Sequence, residues 1–150
     1  MKSLFSKEIF EEINTRIDNL KNDSKPLWGK MDVSQMCSHC IKPLELALND
    51  SDMASRPPLL KKLILSLFKK QMYNDKEWKK NLPTPTIFRV TDPTDFNREK
   101  DELKSIIFEF HQKKDKTSWN EHPMFGKFTP EQWGIMQYKH LDHHLRQFGS

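Results

Sequence analysis

Several large function classes are excluded by what this chain has little of. Two cysteines in 150 residues cannot make a disulfide scaffold, and Cys37 and Cys40 weakly favour a reducing compartment. Four glycines leave little room for a phosphate-cradling loop or a nucleophile elbow, and no serine sits in the elbow pattern. Nucleotide-dependent chemistry is not expected. No two carboxylates share a helix face, so a two-acid mechanism has no obvious carriers. No apolar run approaches the length of a bilayer. The opening residues, MKSLFSKEIFEEIN, place acids where a signal peptide needs apolar side chains. A soluble, cytoplasmic protein with no membrane role is expected.

Net charge is +4, but the lysines are scattered in pairs (Lys61-Lys62, Lys69-Lys70, Lys79-Lys80, Lys113-Lys114) and offset by acids. A nucleic-acid footprint would gather them on one surface, so no nucleic-acid partner is expected. The apolar residues are only 35% of the chain, yet they cluster periodically, which argues for a packed core rather than disorder. The length suits one domain over residues 1–150.

The periodicity is helical throughout, and the expected fold class is all-α. A first helix is predicted from Lys7 to Lys21, capped by Ser6, with Phe10, Ile13, Ile17 and Leu20 on one face. Asp32, with Gln35 three residues later, makes a capping-box signature for a second helix, whose apolar stripe is Val33, Met36, Cys37, Cys40, Ile41 and Leu44. A short lysine-rich helix is predicted within PPLLKKLILSLFKKQM, residues 57–72; it could lie on a membrane surface, but the simpler reading has it covering one side of the core. Three prolines keep residues 81–94 extended. A further helix is predicted over Asp95 to Lys113, with Phe96, Leu103, Ile107 and Phe110 inward. The last begins at TPEQW, with Thr129 as cap, Pro130 first and Gln132 completing a capping box. These elements predict an antiparallel four-helix bundle with a long crossover and one short connecting helix.

Three of the six histidines fall in YKHLDHHLRQF. At 100° per residue His140 and His144 share the core-facing sector with Trp133, Met136, Gln137, Leu141 and Phe148, and His143 sits on its flank. A histidine pair at i and i+4 can put both imidazoles on one metal ion, or can be satisfied by hydrogen bonds in a core. A third ligand would come from His39, His111, His122 or the cysteines. His140 is about 15 Å along its helix at 1.5 Å per residue, so His122, just before that helix, is expected at the other end of the bundle as loop structure, with a substrate contact as the other reading. His111, beside QKKDK, is read as solvated. CSHC resembles a zinc knuckle, but a structural zinc site usually takes four ligands, and Cys37 and Cys40 point away from His39 on a helix; they are read as small core residues. His39 is the best placed, since an antiparallel second helix brings its first half to the second half of the last.

The stretch WGKMDVSQMCSHC from Trp28 and the closing HPMFGKFTPEQWGIMQYKHLDHHLRQFG from His122 resemble the DinB-like superfamily. The closest likeness is to a branch of unknown function that ends in a similar KHLDHHLRQFG helix. The resemblance covers nearly the whole chain. It implies a divalent metal held inside the bundle by His39, His140 and His144, with zinc or nickel as the leading candidates and iron or manganese as further ones. Better-characterised relatives include thiol transferases that use bacillithiol or mycothiol, a maleylpyruvate isomerase and proteins described as metal-dependent hydrolases. The resemblance therefore points to S-transfer from a low-molecular-weight thiol cosubstrate, or hydrolysis, acting on a small molecule. The competing reading is a non-catalytic metal-binding or stress-related bundle. Three neutral histidines leave an open coordination position, at which a thiol or water could be activated. Beside the ligands, His143 is either a donor or proton carrier or a solvated side chain, and Gln137 either orients water or substrate or is a structural amide. A homodimer is the default for a small bundle.

Overall fold

In a computed structural model, residues 1–48, 65 and 67–150 are described. They form four α-helices, α1 (Lys7–Asp18), α2 (Val33–Leu48), α3 (Phe96–Gln112) and α4 (Pro130–Gln147), and no strand. The expected four-helix bundle is present. The helix predicted over residues 57–72 lies mostly outside the described residues; its end, Lys69–Met72, is a 3-10 turn. Among the described residues no helix is long and apolar enough to cross a membrane.

Local chemistry starts the helices where the side chains say it should. Asp32 Oδ1 accepts the Gln35 N–H at 2.8 Å while Gln35 Oε1 accepts the Asp32 N–H at 3.2 Å, so two otherwise orphaned donors are satisfied ahead of α2. Thr129 and Gln132 repeat the arrangement ahead of α4, with Pro130 supplying the first turn. Asp95 accepts from the Arg98 N–H to start α3. Ser6 makes no side-chain cap, and α1 stops at Asp18, short of Lys21. Its buried face is Ile9, Ile13 and Ile17 rather than Phe10, which is half-buried.

Pairwise contacts give the sense of each helix. His39 meets His140 while Pro43, one turn on, meets Gln137, so α2 and α4 are antiparallel. Phe5 stacks on Phe110 near the start of α1, and Lys100 reaches Leu20 beyond its end, so α1 and α3 are antiparallel. Ser34 bonds Thr94 just before α3, and Lys116, just after it, bonds the Leu48 carbonyl. Consecutive helices α2 and α3 therefore run the same way, which is the signature of the long crossover. Trp133, Phe110, Ile13, Ile17, Leu103 and Ile107 are fully buried between the helices, each contributing roughly 1.5–3 kcal/mol by leaving water.

Helix α4 is buried on more than one face: Ile135, His143, Leu145 and Gln147 are as enclosed as the predicted sector. The cause is tertiary. Leu4 donates its N–H to the Gly134 carbonyl, Leu27 donates to the Gln147 carbonyl, and Trp78 lies against His140 and His143. His111, expected in solvent, is half-buried instead, its Nδ1–H donated to the Leu4 carbonyl at 2.8 Å and its ring stacked on Phe10.

Candidate metal centre

Helices α2 and α4 bring His39, His140 and His144 together. Their potential ligand atoms all lie within 4.8 Å of one another, and all three side chains are buried. Among the described residues this is the one such group of three or more His, Cys, Asp or Glu. The rings form a triangle with centroid separations of 4.8 Å (His39 to His140), 4.6 Å (His39 to His144) and 4.8 Å (His140 to His144).

Each ring is held by what its second nitrogen touches. His39 Nδ1–H donates to the Phe88 carbonyl at 2.8 Å, which leaves Nε2 as the unprotonated, lone-pair nitrogen. His144 Nδ1–H donates to Gln147 Oε1 at 2.8 Å, and Gln147 Nε2 in turn donates to the Trp28 carbonyl at 2.6 Å. That relay ends in a tight turn: Gly29 has φ +85°, and a Cβ there would come within 2.5 Å of Gln147 Nε2, so only glycine leaves the amide its place. His140 faces His39 through Nε2 at 2.9 Å. Because His39 Nε2 is an acceptor, His140 Nε2–H must donate. The buried His140 Nδ1, without a partner among the described residues, is then a bare lone pair rather than a stranded donor.

Electrostatics agree with a ligand set. Burial, above all, lowers the pKa of His39 and His140, with neighbouring histidines adding to the effect at His140, and it pushes His144 down to about 3. Neutral imidazole is the form that binds a metal. The chemistry of the donor set thus fits a divalent ion: three neutral nitrogens, two of them aimed by hydrogen bonds on the far side of the ring. Cys37 and Cys40 are buried and take no part; burial raises the Cys37 thiol to about 12 and Cys40 well above its usual value. They are core residues, as expected.

The residues beside the triad differ from expectation in two respects. His143 is not solvated. Its ring lies between Trp28 and Trp78 and edge-on to His144, and its buried Nδ1 lacks a partner among the described residues. Nor is His122 remote from the site. It does pack on Phe128 and Trp133 near the start of α4, but the cavity over the triad runs the whole way down to it and is lined by His39, His122, His140, His143 and His144 together. Gln137 is fully buried and donates Nε2 to the Pro43 carbonyl at 2.8 Å, tying α4 to α2 one turn from the ligands. The residues not anticipated are Phe88, Trp78 and Gln147. Only Gln147, three positions after His144 on one helix, left a readable signal.

A family model described as a protein of unknown function, DUF1569, matches residues 4–150. The chain belongs to the DUF1569 family. This agrees with the expected likeness to a branch of unknown function. No curated protein and no solved structure matches it. The DUF1569 match spans every residue of the triad and of its supports, from Trp28 to Gln147.

Proposed function

We propose that His39, His140 and His144 hold a divalent metal ion and that the cavity beside them is the active site of a metal-dependent enzyme. In this reading the chain is a DinB-like bundle acting on a small molecule, either by transfer of a low-molecular-weight thiol or by hydrolysis. The observation that carries it is the convergence of three buried, neutral imidazoles at the wall of a cavity of about 190 Å³. A closed structural site has no need of such a space. When bound, the ion would supply Lewis acidity, lowering the pKa of a thiol or water and stabilising negative charge that develops on the substrate.

The chain's own residues do the rest. Phe88 and Gln147 fix two of the imidazoles so that little ordering remains to be done on binding. Were His140 to hold the ion through Nε2, its ring proton would sit on Nδ1, and Gln137 Oε1, one turn back and buried without a partner among the described residues, is an acceptor of the right kind. His143 offers Nδ1 as a proton acceptor one turn from His140. Trp78 and Phe88 keep bulk water from the imidazoles, which strengthens every polar interaction inside.

A second reading, a non-catalytic metal-binding bundle, draws support from the cavity wall, where among the described residues the polar side chains besides the triad and Trp78 are Thr84, His122 and His143. The test begins with elemental analysis of protein purified without a nickel column, from cells grown with zinc, nickel, manganese and iron available. About one ion per chain is expected in the wild type and a background level in His144→Ala. A wild type without metal would sink the centre. A loaded protein that activates neither thiol nor water towards electrophiles and esters would leave the non-catalytic reading.

A further inference from the structure

The cavity over the triad has walls of one kind. Phe88, Phe125, Met72, Met124, Met136 and Trp78 supply most of it, and no Lys, Arg, Asp or Glu among the described residues lines it. His122 does not make up for this absence, since burial pushes it down to about 3 and it stands neutral near pH 7. An anion or cation entering the wall region would give up its hydration with no opposite side-chain charge to replace it. An apolar cavity of about 150 Å³ is enough for benzene, so about 190 Å³ suits a group of one ring.

His122 adds a fixed polar feature to this largely apolar lining. Its backbone is pinned by reciprocal hydrogen bonds with Gly126, N–H to carbonyl at 3.0 and 2.8 Å. Its ring is wedged by Phe125 at 4.8 Å and Trp133 at 5.9 Å. The Met124 N–H donates to Nδ1 at 3.2 Å, which puts the ring's own proton on Nε2. The side chain is therefore a neutral, immobilised N–H donor at the end of the cavity away from the ligands.

We propose that this cavity binds an uncharged, ring-sized apolar group, with His122 Nε2–H as the hydrogen-bond donor that selects a polar substituent on it. The proposal rests on the reading of the cavity as the substrate site but not on an ion being bound. It narrows the substrate class: the part of the substrate lodged here is neutral, and any anionic part must lie outside or at the triad.

Protein as purified, labelled with methyl-13C methionine, tests this by NMR, because Met72, Met124 and Met136 line the cavity and Met1, Met31 and Met36 do not. The probes are toluene, phenol, benzenesulfonate and phenyltrimethylammonium. Phenol is expected to shift the three lining methyls and to bind about tenfold or more tighter than phenyltrimethylammonium in the protein as purified, and than benzenesulfonate after chelator treatment, which removes any ion at the triad that could hold the sulfonate. His122→Phe, which keeps the ring but not the donor, should abolish the preference for phenol over toluene. Leu82 lines the cavity and is 46% exposed, so Leu82→Lys should fold normally and raise benzenesulfonate affinity about tenfold while leaving phenol nearly unchanged. Phenyltrimethylammonium that binds as well as phenol, benzenesulfonate that does so in the chelator-treated protein, or shifts confined to methyls elsewhere, would overturn the proposal. If elemental analysis finds no metal while the phenol pattern holds, the metal reading fails and this one stands. A metal-loaded protein whose cavity ignores charge fails here alone.

Discussion

On one side of Trp78 lies a groove of about 270 Å³ lined by Asp75, Glu77, Lys139, Asp142 and Arg146; on the other lies the cavity of about 190 Å³, with no charged side chain among its described lining residues. Both are walled by α4, whose helical phase shares its residues between them: Tyr138, Lys139, Asp142 and Arg146 line the groove, and Met136, His140, His143 and His144 line the cavity. Three of the groove's charges, Arg146, Glu77 and Asp142, are paired with one another. Arg146 meets Glu77 at 2.6 Å and Asp142 at 3.0 Å. Lys139 donates to the Gln71 carbonyl and to Asn74 Oδ1, and burial pushes its pKa down to about 8. Partly exposed pairs of this kind are worth about 1 kcal/mol or less. The cavity reaches its polarity the opposite way, by desolvating titratable groups until they are neutral and ligand-competent. The groove with more charge thus has less unspent capacity to bind.

Removing the partition should have the largest effect. Trp78→Ala deletes ring contacts to His140 and His143 and the indole N–H donated to the Gln71 carbonyl at 3.0 Å. Since Trp78 is only half-buried, a loss of about 2–3 kcal/mol in urea denaturation is expected, at or below the lower end for a buried tryptophan. A variant as stable as wild type would show that Trp78 does not separate the two spaces. Next in size is Gln147→Ala, which releases His144 Nδ1 without touching any ligand. Metal affinity, read by competition with a chromophoric chelator, should fall about 10- to 100-fold; unchanged affinity would mean the Trp28 relay does not orient the ring.

A third effect, spread over several pH units, is the pH dependence that His122 confers on stability. Its folded pKa of about 3 lies below the roughly 6.5 of an unfolded histidine, so the unfolded chain binds the proton first and stability rises with pH. The contribution is complete above about 6.5 and is lost progressively as pH falls towards 3, with a slope of at most about 1.4 kcal/mol per pH unit. His122→Phe should flatten the fall of the urea midpoint between pH 6 and 4. An unaltered slope would place the proton elsewhere.

What could be read from the sequence was local or periodic. Asp32 and Thr129 announce their helices because a cap is decided within four residues, and His140 and His144 declare a shared face because i and i+4 repeat on any helix. His39 was accessible through one further assumption, an antiparallel α2 and α4. The supports were not, because Phe88 contributes a backbone carbonyl from the crossover, 49 positions from His39, and a carbonyl has no residue signature. The solvated alternative for His143 fell for a related reason: phase finds the face towards the core, whereas Trp28 and Trp78 come from elsewhere in the chain to bury its flank. For His122, position along α4 was read soundly, but the length of the cavity could not be inferred from it.

Pro43 sits inside α2, four residues after His39. Having no N–H, it cannot close the helical bond to the His39 carbonyl, so the ladder of α2 lacks one bond at the turn that carries His39. His39 and His140 Nε2 stand at 2.9 Å, a hydrogen-bond spacing. Were both to hold one ion, the rings would have to part slightly. The missing backbone bond would leave the slack for that movement at His39, while the Gln137 amide holds the Pro43 carbonyl.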